Sequence, residues 1–301
     1  MIRWLAACCG LLMLATSASG TPPVWTATTS AALADDDLAR HSQDPAYLDG
    51  LALTSLSFSE NGFAWQLLRF DNLAKPDGPL WVVPHDDENA AFEAVIAALR
   101  LHGGRAIVVN SSGSLRRQSG SGRCGVRSGI VSACDPNRNF AADAPLFTAA
   151  FLDQIVPGQP IIALHTNGHG FSGDGKGGRG DITILDASAF GKGRIKPRAW
   201  GHFGNGSNPK LVDYDTLGLV AWLASNGTPD AKAVACRIAL NQSGVHFWHE
   251  RVVRSDGSLS NYLALYRPEI DYFNAEARAD SDLSIAAEKH ALMVDAYLKN
   301  C

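Results

Sequence analysis

The fold is decided by Leu80-Trp-Val-Val-Pro-His-Asp-Asp-Glu-Asn89, which leads through a helical pattern to Arg105-Ala-Ile-Val-Val109. Leu80 to Val83 form a short apolar run of the kind found in buried strands. Asn89 to His102 places its apolar residues on one helical face, and Gly103-Gly104 would end that helix. A strand, a helix and a second strand at this spacing predict a right-handed crossover between parallel strands.

The remaining segments extend this pattern in both directions. Alternating or apolar runs predict strands at Leu51–Phe58, Phe63–Phe70, Ile161–Leu164, Val234–Leu240, Val245–Val253 and Ile270–Ala275. Helical patterns cover Leu146–Ile155, Tyr214–Ser225 and Ala286–Leu298. We therefore expect an α/β fold, with a mixed and mostly parallel sheet flanked by helices.

Composition indicates an ordinary globular chain. It has 301 residues, of which 46% are hydrophobic and 19% charged, and its formal net charge is −4. No linker divides the chain, so we expect one domain over residues 21–301. The charge gives no reason to expect nucleic acid as a partner, and no later segment reaches the length of a membrane span.

The N-terminus is typical of a secretory signal peptide. Arg3 supplies a positive charge, Leu5 to Ala15 is almost wholly apolar, and Ala18-Ser-Gly20 offers small residues for cleavage. The apolar run is too short to cross a bilayer. We expect residues 1–20 to be removed and the protein to be exported, either to the periplasm or outside the cell.

The cysteines agree with an oxidising compartment. Removal of residues 1–20 would leave four, namely Cys124, Cys134, Cys236 and Cys301. Four cysteines allow three pairings. We favour Cys124–Cys134, which would close a loop rich in Gly, Ser and Arg, and Cys236–Cys301, which would fix the C-terminus. A cysteine metal site is disfavoured because no Cys-x-x-Cys pair occurs.

Two apolar runs end in potential metal ligands. His85 and Glu88 follow the first, and His165 ends the second, Pro160-Ile-Ile-Ala-Leu-His165. Two histidines and one glutamate, with a fourth position left for water, are the ligands of a catalytic zinc site. The rivals for the third ligand are His169 nearby and, further away, His202, His246 and His249.

Four patches in a fixed order resemble the zinc metallocarboxypeptidases. His85-Asp-Asp-Glu88 resembles their His-x-x-Glu motif, and Asp135-Pro-Asn-Arg-Asn-Phe140 their Asp-x-Asn-Arg-Asn-aromatic segment. Ala163-Leu-His165 resembles the strand of the third ligand. Gly257-Ser-Leu-Ser-Asn-Tyr262, with Tyr272-Phe-Asn-Ala-Glu276, resembles their Gly-Ser segment and catalytic strand. The patches span about residues 80–280, and a carboxypeptidase-like fold is implied.

The resemblance implies a role for each site residue. One Zn²⁺ per chain would bind His85, Glu88 and His165, and Glu276 would be the general base, with Glu250 and Glu269 as rivals. Asn137 and Arg138 would bind a substrate carboxylate, which matches the planar guanidinium. Arg117 is our preference for stabilising the oxyanion, although spacing leaves the choice open among Arg116, Arg117, Arg123 and Arg127.

Some positions depart from the family pattern. The interval from His165 to Glu276 is 111 residues, which implies an insertion around residues 170–250. The tyrosine that usually precedes the Gly-Ser segment has no counterpart between Arg251 and Asp256. Asp86 and Asp87 would either orient a zinc-bound imidazole or favour the positive N-terminus of the following helix.

These features predict a zinc-dependent hydrolase of an amide bond. The substrate would be a peptide or peptide-like molecule with a free carboxylate, and peptides of the cell wall are a candidate because of the expected export. Two alternatives remain: a zinc-dependent deacylase of N-acyl amino acids, similar to aspartoacylase or succinylglutamate desuccinylase, and an inactive relative that binds peptides or glycans.

Overall fold

The computed structural model describes most of the chain. The described residues are 23–110, 123–125, 134–167, 199–202, 219–227, 229–243, 245–252, 254–278 and 282–301. The expected signal peptide and most of the expected insertion lie outside these ranges. Within them, no helix combines the length and the apolar character that crossing a bilayer would require.

A ten-stranded sheet forms the centre of the described protein. In chain order its strands are β1 (Thr26–Ala27), β2 (Leu51–Glu60), β3 (Phe63–Asn72), β4 (Leu80–Val83), β5 (Arg105–Asn110), β6 (Ile161–Asn167), β7 (Ala199–His202), β8 (Leu219–Ser225), β9 (His246–Arg251) and β10 (Tyr272–Arg278). Across the sheet they run in the order β1-β2-β3-β5-β4-β6-β10-β8-β9-β7.

Helices cover both faces of the sheet. They are α1 (Asp36–Arg40), α2 (Asn89–His102), α3 (Pro145–Leu152), α4 (Ala231–Gln242), α5 (Leu259–Tyr266) and α6 (Leu283–Asn300). One hydrophobic core joins α2, α4 and α6 to the first face, and a second core joins α3 and α5 to the other. The mixed α/β architecture with flanking helices is therefore confirmed.

The expectation of a mostly parallel sheet is not confirmed. Four described pairings are parallel, namely β4 with β5, β4 with β6, β6 with β10, and β8 with β9. The other five are antiparallel. The parallel strands β5, β4, β6 and β10 are adjacent at the centre of the sheet, and the antiparallel pairs extend it on both sides.

Two element predictions are wrong, and both fall in short apolar segments. The helix expected over Tyr214–Ser225 is strand β8 from Leu219 onward, and residues 214–218 lie outside the described ranges. The strand expected over Val234–Leu240 is part of α4. Four alanines favour that helix, and the Asp230 side chain accepts from the backbone N–H of Ala233 at 2.8 Å as its cap.

The expected disulfides are both present. Cys124 bonds to Cys134, and Cys236 bonds to Cys301. The second bond joins α4 to the C-terminal end of α6. In the chain-entropy model, closing loops of 10 and 65 residues stabilises the folded state by about 3 and about 4 kcal/mol respectively.

Candidate metal centre

The first two candidate ligands lie between β4 and α2. Trp81, Val82 and Val83 are buried in the sheet, and the chain leaves β4 at Pro84 and turns directly into the helix. His85 and Glu88 lie in this short connection, and the backbone N–H of Glu88 donates to the carbonyl of His85. Both side chains therefore lie at the carboxyl end of β4, where parallel sheets commonly bind ligands.

The third candidate, His165, comes from the neighbouring strand. β6 runs parallel to β4, with Val82 beside Ala163. His165 lies two residues beyond Ala163, so it reaches the same edge of the sheet as His85. His85, Glu88 and His165 are 3%, 4% and 2% exposed, which means that three ionisable side chains share one buried pocket.

The ligand atoms of these three residues converge. Nδ1 of His85 lies 3.0 Å from Oε1 of Glu88 and 3.1 Å from Nδ1 of His165. The second carboxylate oxygen, Oε2 of Glu88, lies 3.2 Å from Nδ1 of His165. Among the described residues, these three form the one group of His, Cys, Asp and Glu side chains arranged to share a metal ion.

The donor set fits a divalent metal such as zinc. Zinc–nitrogen bonds of about 2.0–2.1 Å at tetrahedral angles would separate the ligand atoms by roughly 3.3–3.5 Å. The separations of 3.0–3.2 Å are slightly shorter, so a small outward movement would accommodate the ion. Two imidazole nitrogens at 3.1 Å also need a proton or a cation between their lone pairs.

A fourth residue, Asp135, holds the His85 ring. Its Oδ1 lies 2.8 Å from Nε2 of His85, the nitrogen that faces away from the other ligands. The same oxygen accepts from the backbone N–H of Asn137 at 2.8 Å. A carboxylate on the outer nitrogen fixes the orientation and tautomer of a ligand histidine. Sequence reasoning missed this role, although Asp135 opens the quoted Asp-x-Asn-Arg motif.

The electrostatics of the pocket favour a cation. Burial alone would lower the pKa of His85, but the Glu88 and Asp135 carboxylates outweigh burial and raise the pKa to about 9. Burial alone would raise the pKa of Glu88, yet His85 and His165 hold that pKa well below its ordinary value. The pocket therefore stabilises an ionised carboxylate and a positive charge beside it.

The expected carboxylate-binding pair lies next to this network. The Arg138 guanidinium is largely buried, with nitrogens 3.7 Å from Oδ2 of Asp135 and 3.9 Å from Oδ2 of Asp256. Oδ1 of Asn137 accepts from the backbone N–H of Leu259, the first residue of α5, at 3.1 Å. Arg138 is thus linked through Asp135 to His85, and carboxylates of the chain already balance its charge.

Gly257 brings α5 close to this segment. Its φ is +90°, and a Cβ at this position would lie 2.1 Å from the carbonyl oxygen of Arg138. The Gly257 carbonyl accepts from the backbone N–H of Phe140 at 2.9 Å. The Gly-Ser segment and the Asn-Arg segment, which are more than a hundred residues apart in sequence, therefore pack backbone to backbone.

Glu276 lies on the strand beside His165. β10 runs parallel to β6, and Glu276 is the register partner of His165. Register partners on neighbouring strands point to the same face of a sheet, so the Glu276 carboxylate and the His165 ring share a face. Nδ2 of Asn274 donates to Oε1 of Glu276 at 3.1 Å, which restrains the carboxylate.

The rival residues lie on other elements or outside the described ranges. Arg123 pairs with Asp143 at 2.6 Å on the surface, and the exposed Glu269 pairs with Arg267 at 2.6 Å. His202 belongs to β7, and His246, His249 and Glu250 belong to β9. The other candidates fall outside the described residues, namely Arg116, Arg117, Arg127 and His169.

Several solved structures are similar to this chain at low sequence identity. No family model matches the sequence, and no curated protein matches it. A protein from Shewanella amazonensis, provisionally named a metallopeptidase, is 12% identical, with a TM-score of 0.39 over 88% of this chain and 90% of its own. A provisionally named carboxypeptidase from Burkholderia mallei is 12% identical, with a TM-score of 0.43 over 87% of this chain and 67% of its own.

A third similar structure is the tripeptide-bound cell shape determinant Csd4 from Helicobacter pylori. It is 16% identical, with a TM-score of 0.41 over 78% of this chain and 55% of that one. This chain therefore matches about half of Csd4. At such identities and TM-scores these similarities do not define a family.

Proposed function

We propose that the protein is a zinc-dependent hydrolase that cleaves an amide bond in a peptide with a free carboxylate. The observation that carries this proposal is the convergence of His85, Glu88 and His165 within one buried pocket. The metal would be held by one nitrogen of each histidine and by the glutamate carboxylate. When bound, it supplies a Lewis acid that polarises a carbonyl and activates water.

The chain's own residues would position the substrate and move the proton. Glu276, on the face and strand next to His165, would accept a proton from the attacking water and return it to the leaving amine. Asp135 would keep the His85 ring in orientation. Arg138 would bind the substrate carboxylate through its planar fork of donors, in exchange for its present contacts with Asp135 and Asp256.

Export is the second part of the proposal. Disulfides persist in oxidising compartments such as the periplasm or the extracellular space, and both expected disulfides form. An exported bacterial hydrolase of this class would meet the peptides of the cell wall, so stem peptides ending in a free carboxylate are the first substrates to assay. The proposed export itself is checked by sequencing the N-terminus of the mature protein.

Replacement of Glu276 by Gln tests the proposed catalytic role. The zinc-loaded wild type should release amino acids from peptides with a free carboxylate, and Glu276→Gln should lower kcat by about 100-fold or more. Zinc content should stay at the wild-type value, because Glu276 is not a ligand. Glu269→Gln is the matched control, since Glu269 is exposed and paired with Arg267, and it should keep full activity.

The same assay separates the proposal from its two alternatives. A deacylase would cleave N-acyl amino acids and leave the peptide panel intact. An inactive binding protein would cleave neither, although its metal site could still fill. Cleavage by Glu276→Gln at the wild-type rate would exclude Glu276 as the base and would refute this part of the proposal.

A further inference from the structure

His290 is a polar side chain in an otherwise apolar part of the core. It lies in the middle of α6 and is fully buried, beside core residues such as Met293 and Val294. An imidazole buried in this way is costly unless it forms hydrogen bonds, so its partners indicate why it is there.

Both ring nitrogens of His290 contact backbone carbonyls. Nε2 lies 2.8 Å from the carbonyl oxygen of His165, the third candidate ligand, and Nδ1 lies 2.9 Å from that of Ala286. A carbonyl oxygen only accepts, so a ring nitrogen that bonds to one does so through an N–H. One of the two carbonyls that face the ring belongs to the peptide group of a candidate metal ligand.

The backbone of His165 lies beyond the point where strand β6 pairs with strand β4. The described pairing between β4 and β6 extends to Val82 and Ala163, whereas β6 continues to Asn167 beside β10. At His165 the strand is thus paired on one side in the described sheet. A ligand set must be held within about 0.5 Å of its working geometry, which a strand supported on one side holds less firmly.

Helix α6, which carries His290, is attached to neighbouring elements near its C-terminal end. Its C-terminal Cys301 is bonded to Cys236 of α4, and Tyr297 stacks on Phe273 of β10 with ring centroids 4.2 Å apart. His290 lies between this anchored end and the capped N-terminus, where Asp282 accepts from the backbone N–H of Ser284. The helix can therefore hold the His165 peptide group in a fixed place relative to the core.

We propose that His290 is a positioning residue of the metal centre, whose Nε2–H donates to the His165 carbonyl and holds Nδ1 of His165 facing His85 and Glu88. This inference rests on the proposed metal-dependent function and names one more residue that the site needs. His290 does not touch the metal or the substrate; it acts through the backbone of His165.

Two isosteric replacements test the inference. Gln places an amide N–H near the position of Nε2, and Asn places one near the position of Nδ1. The measurement is the zinc dissociation constant of His290→Gln, His290→Asn and His290→Leu, by competition with a chromophoric chelator. Outer partners of ligand residues typically contribute about 10- to 100-fold to metal affinity, so His290→Leu and His290→Asn should bind zinc about tenfold more weakly, and His290→Gln should stay close to the wild type.

Two further measurements separate positioning from general destabilisation. The thermal midpoints of the metal-free variants report loss of packing, and the visible absorption of the Co²⁺-loaded forms reports ligand geometry. We expect a changed Co²⁺ spectrum for His290→Asn and a spectrum like that of the wild type for His290→Gln, even where both unfold at the same temperature. If His290→Leu does not fold, the comparison of His290→Gln with His290→Asn still tests whether the hydrogen bond from Nε2 positions the site.

Defined results would overturn the inference. Wild-type zinc affinity and Co²⁺ spectra in folded Asn and Leu variants would show that His290 does not position the site. If His290→Asn keeps the wild-type zinc affinity and His290→Gln loses it, the important hydrogen bond is the one to the Ala286 carbonyl, and the inference is wrong. A wild type that binds neither zinc nor Co²⁺ would contradict the proposed function itself. That result is distinct from one in which the wild type and the His290 variants all bind metal equally well, which contradicts only the role of His290.

Discussion

Removing the charge of Asp135 should weaken metal binding without disturbing the three ligands. Oδ1 of Asp135 lies 2.8 Å from Nε2 of His85 and 2.8 Å from the backbone N of Asn137, in a buried position. Asp135→Asn keeps one acceptor oxygen but loses the negative charge that orients the His85 ring and makes it more basic. We expect its zinc affinity to fall about tenfold, or ~1.4 kcal/mol.

Asp135→Ala should lower both the stability of the metal-free protein and its zinc affinity, and it should lower the zinc affinity more than Asp135→Asn does. It leaves the buried donor on His85 without this acceptor, at roughly 1–3 kcal/mol, and also frees the partly buried backbone N–H of Asn137. The free energy of unfolding of the metal-free protein should therefore fall by roughly 1–3 kcal/mol or somewhat more. Zinc affinity should fall by about 100-fold, at the upper end of the range for such outer partners.

Chelator competition at pH 7 measures both affinities, and urea unfolding measures the stability. Asp143→Asn is the matched control, because Asp143 lies in the same segment but is exposed and paired with Arg123. It should bind zinc as the wild type does. If Asp135→Asn binds zinc within twofold of the wild type, the role assigned to Asp135 is refuted.

Three further predictions concern stability. Replacing both cysteines of Cys236–Cys301 by Ser should lower the free energy of unfolding by ~4 kcal/mol, and an unchanged urea midpoint would contradict this. Gly257→Ala should cost more than about 2 kcal/mol and weaken substrate binding, because the new Cβ would meet the Arg138 carbonyl at a positive φ; wild-type stability would show that this contact is not tight. The raised pKa of His85, about 9 against 6.5 in the unfolded chain, stabilises the metal-free protein fully below pH 6.5. That contribution, ~3 kcal/mol, should be lost as the pH rises through 9, and His85→Ala should abolish this dependence in urea titrations at several pH values.

The local parts of the fold could be predicted because their signals are local. The helix from Asn89 to His102 has the bounds that its apolar stripe and Gly103 indicate. The hairpin β2–β3 follows from alternation around the Asn61-Gly62 turn, where both residues have positive φ. The spacing of His85 and Glu88 brings both side chains to one helix start, since Glu88 immediately precedes Asn89.

The remaining features depend on partners that are distant in sequence. Whether β8 is a strand is decided by its neighbours β9 and β10, and an apolar run of seven residues fits either state. Asp135 reaches His85 across fifty residues, and His290 reaches His165 across 125. No periodicity marks such contacts, so the ligands could be proposed from sequence while their supporting residues could not.

The most direct test of the central claim is the metal content of the purified protein. Inductively coupled plasma mass spectrometry on wild type and on His85→Ala should give one zinc ion per chain in the first and essentially none in the second. His41→Ala is the matched control, because His41 contacts Glu93 away from the site, and it should retain one zinc. A wild type that takes up no divalent metal, or a His85→Ala variant that keeps it, would contradict the assignment of His85, Glu88 and His165 as a metal centre.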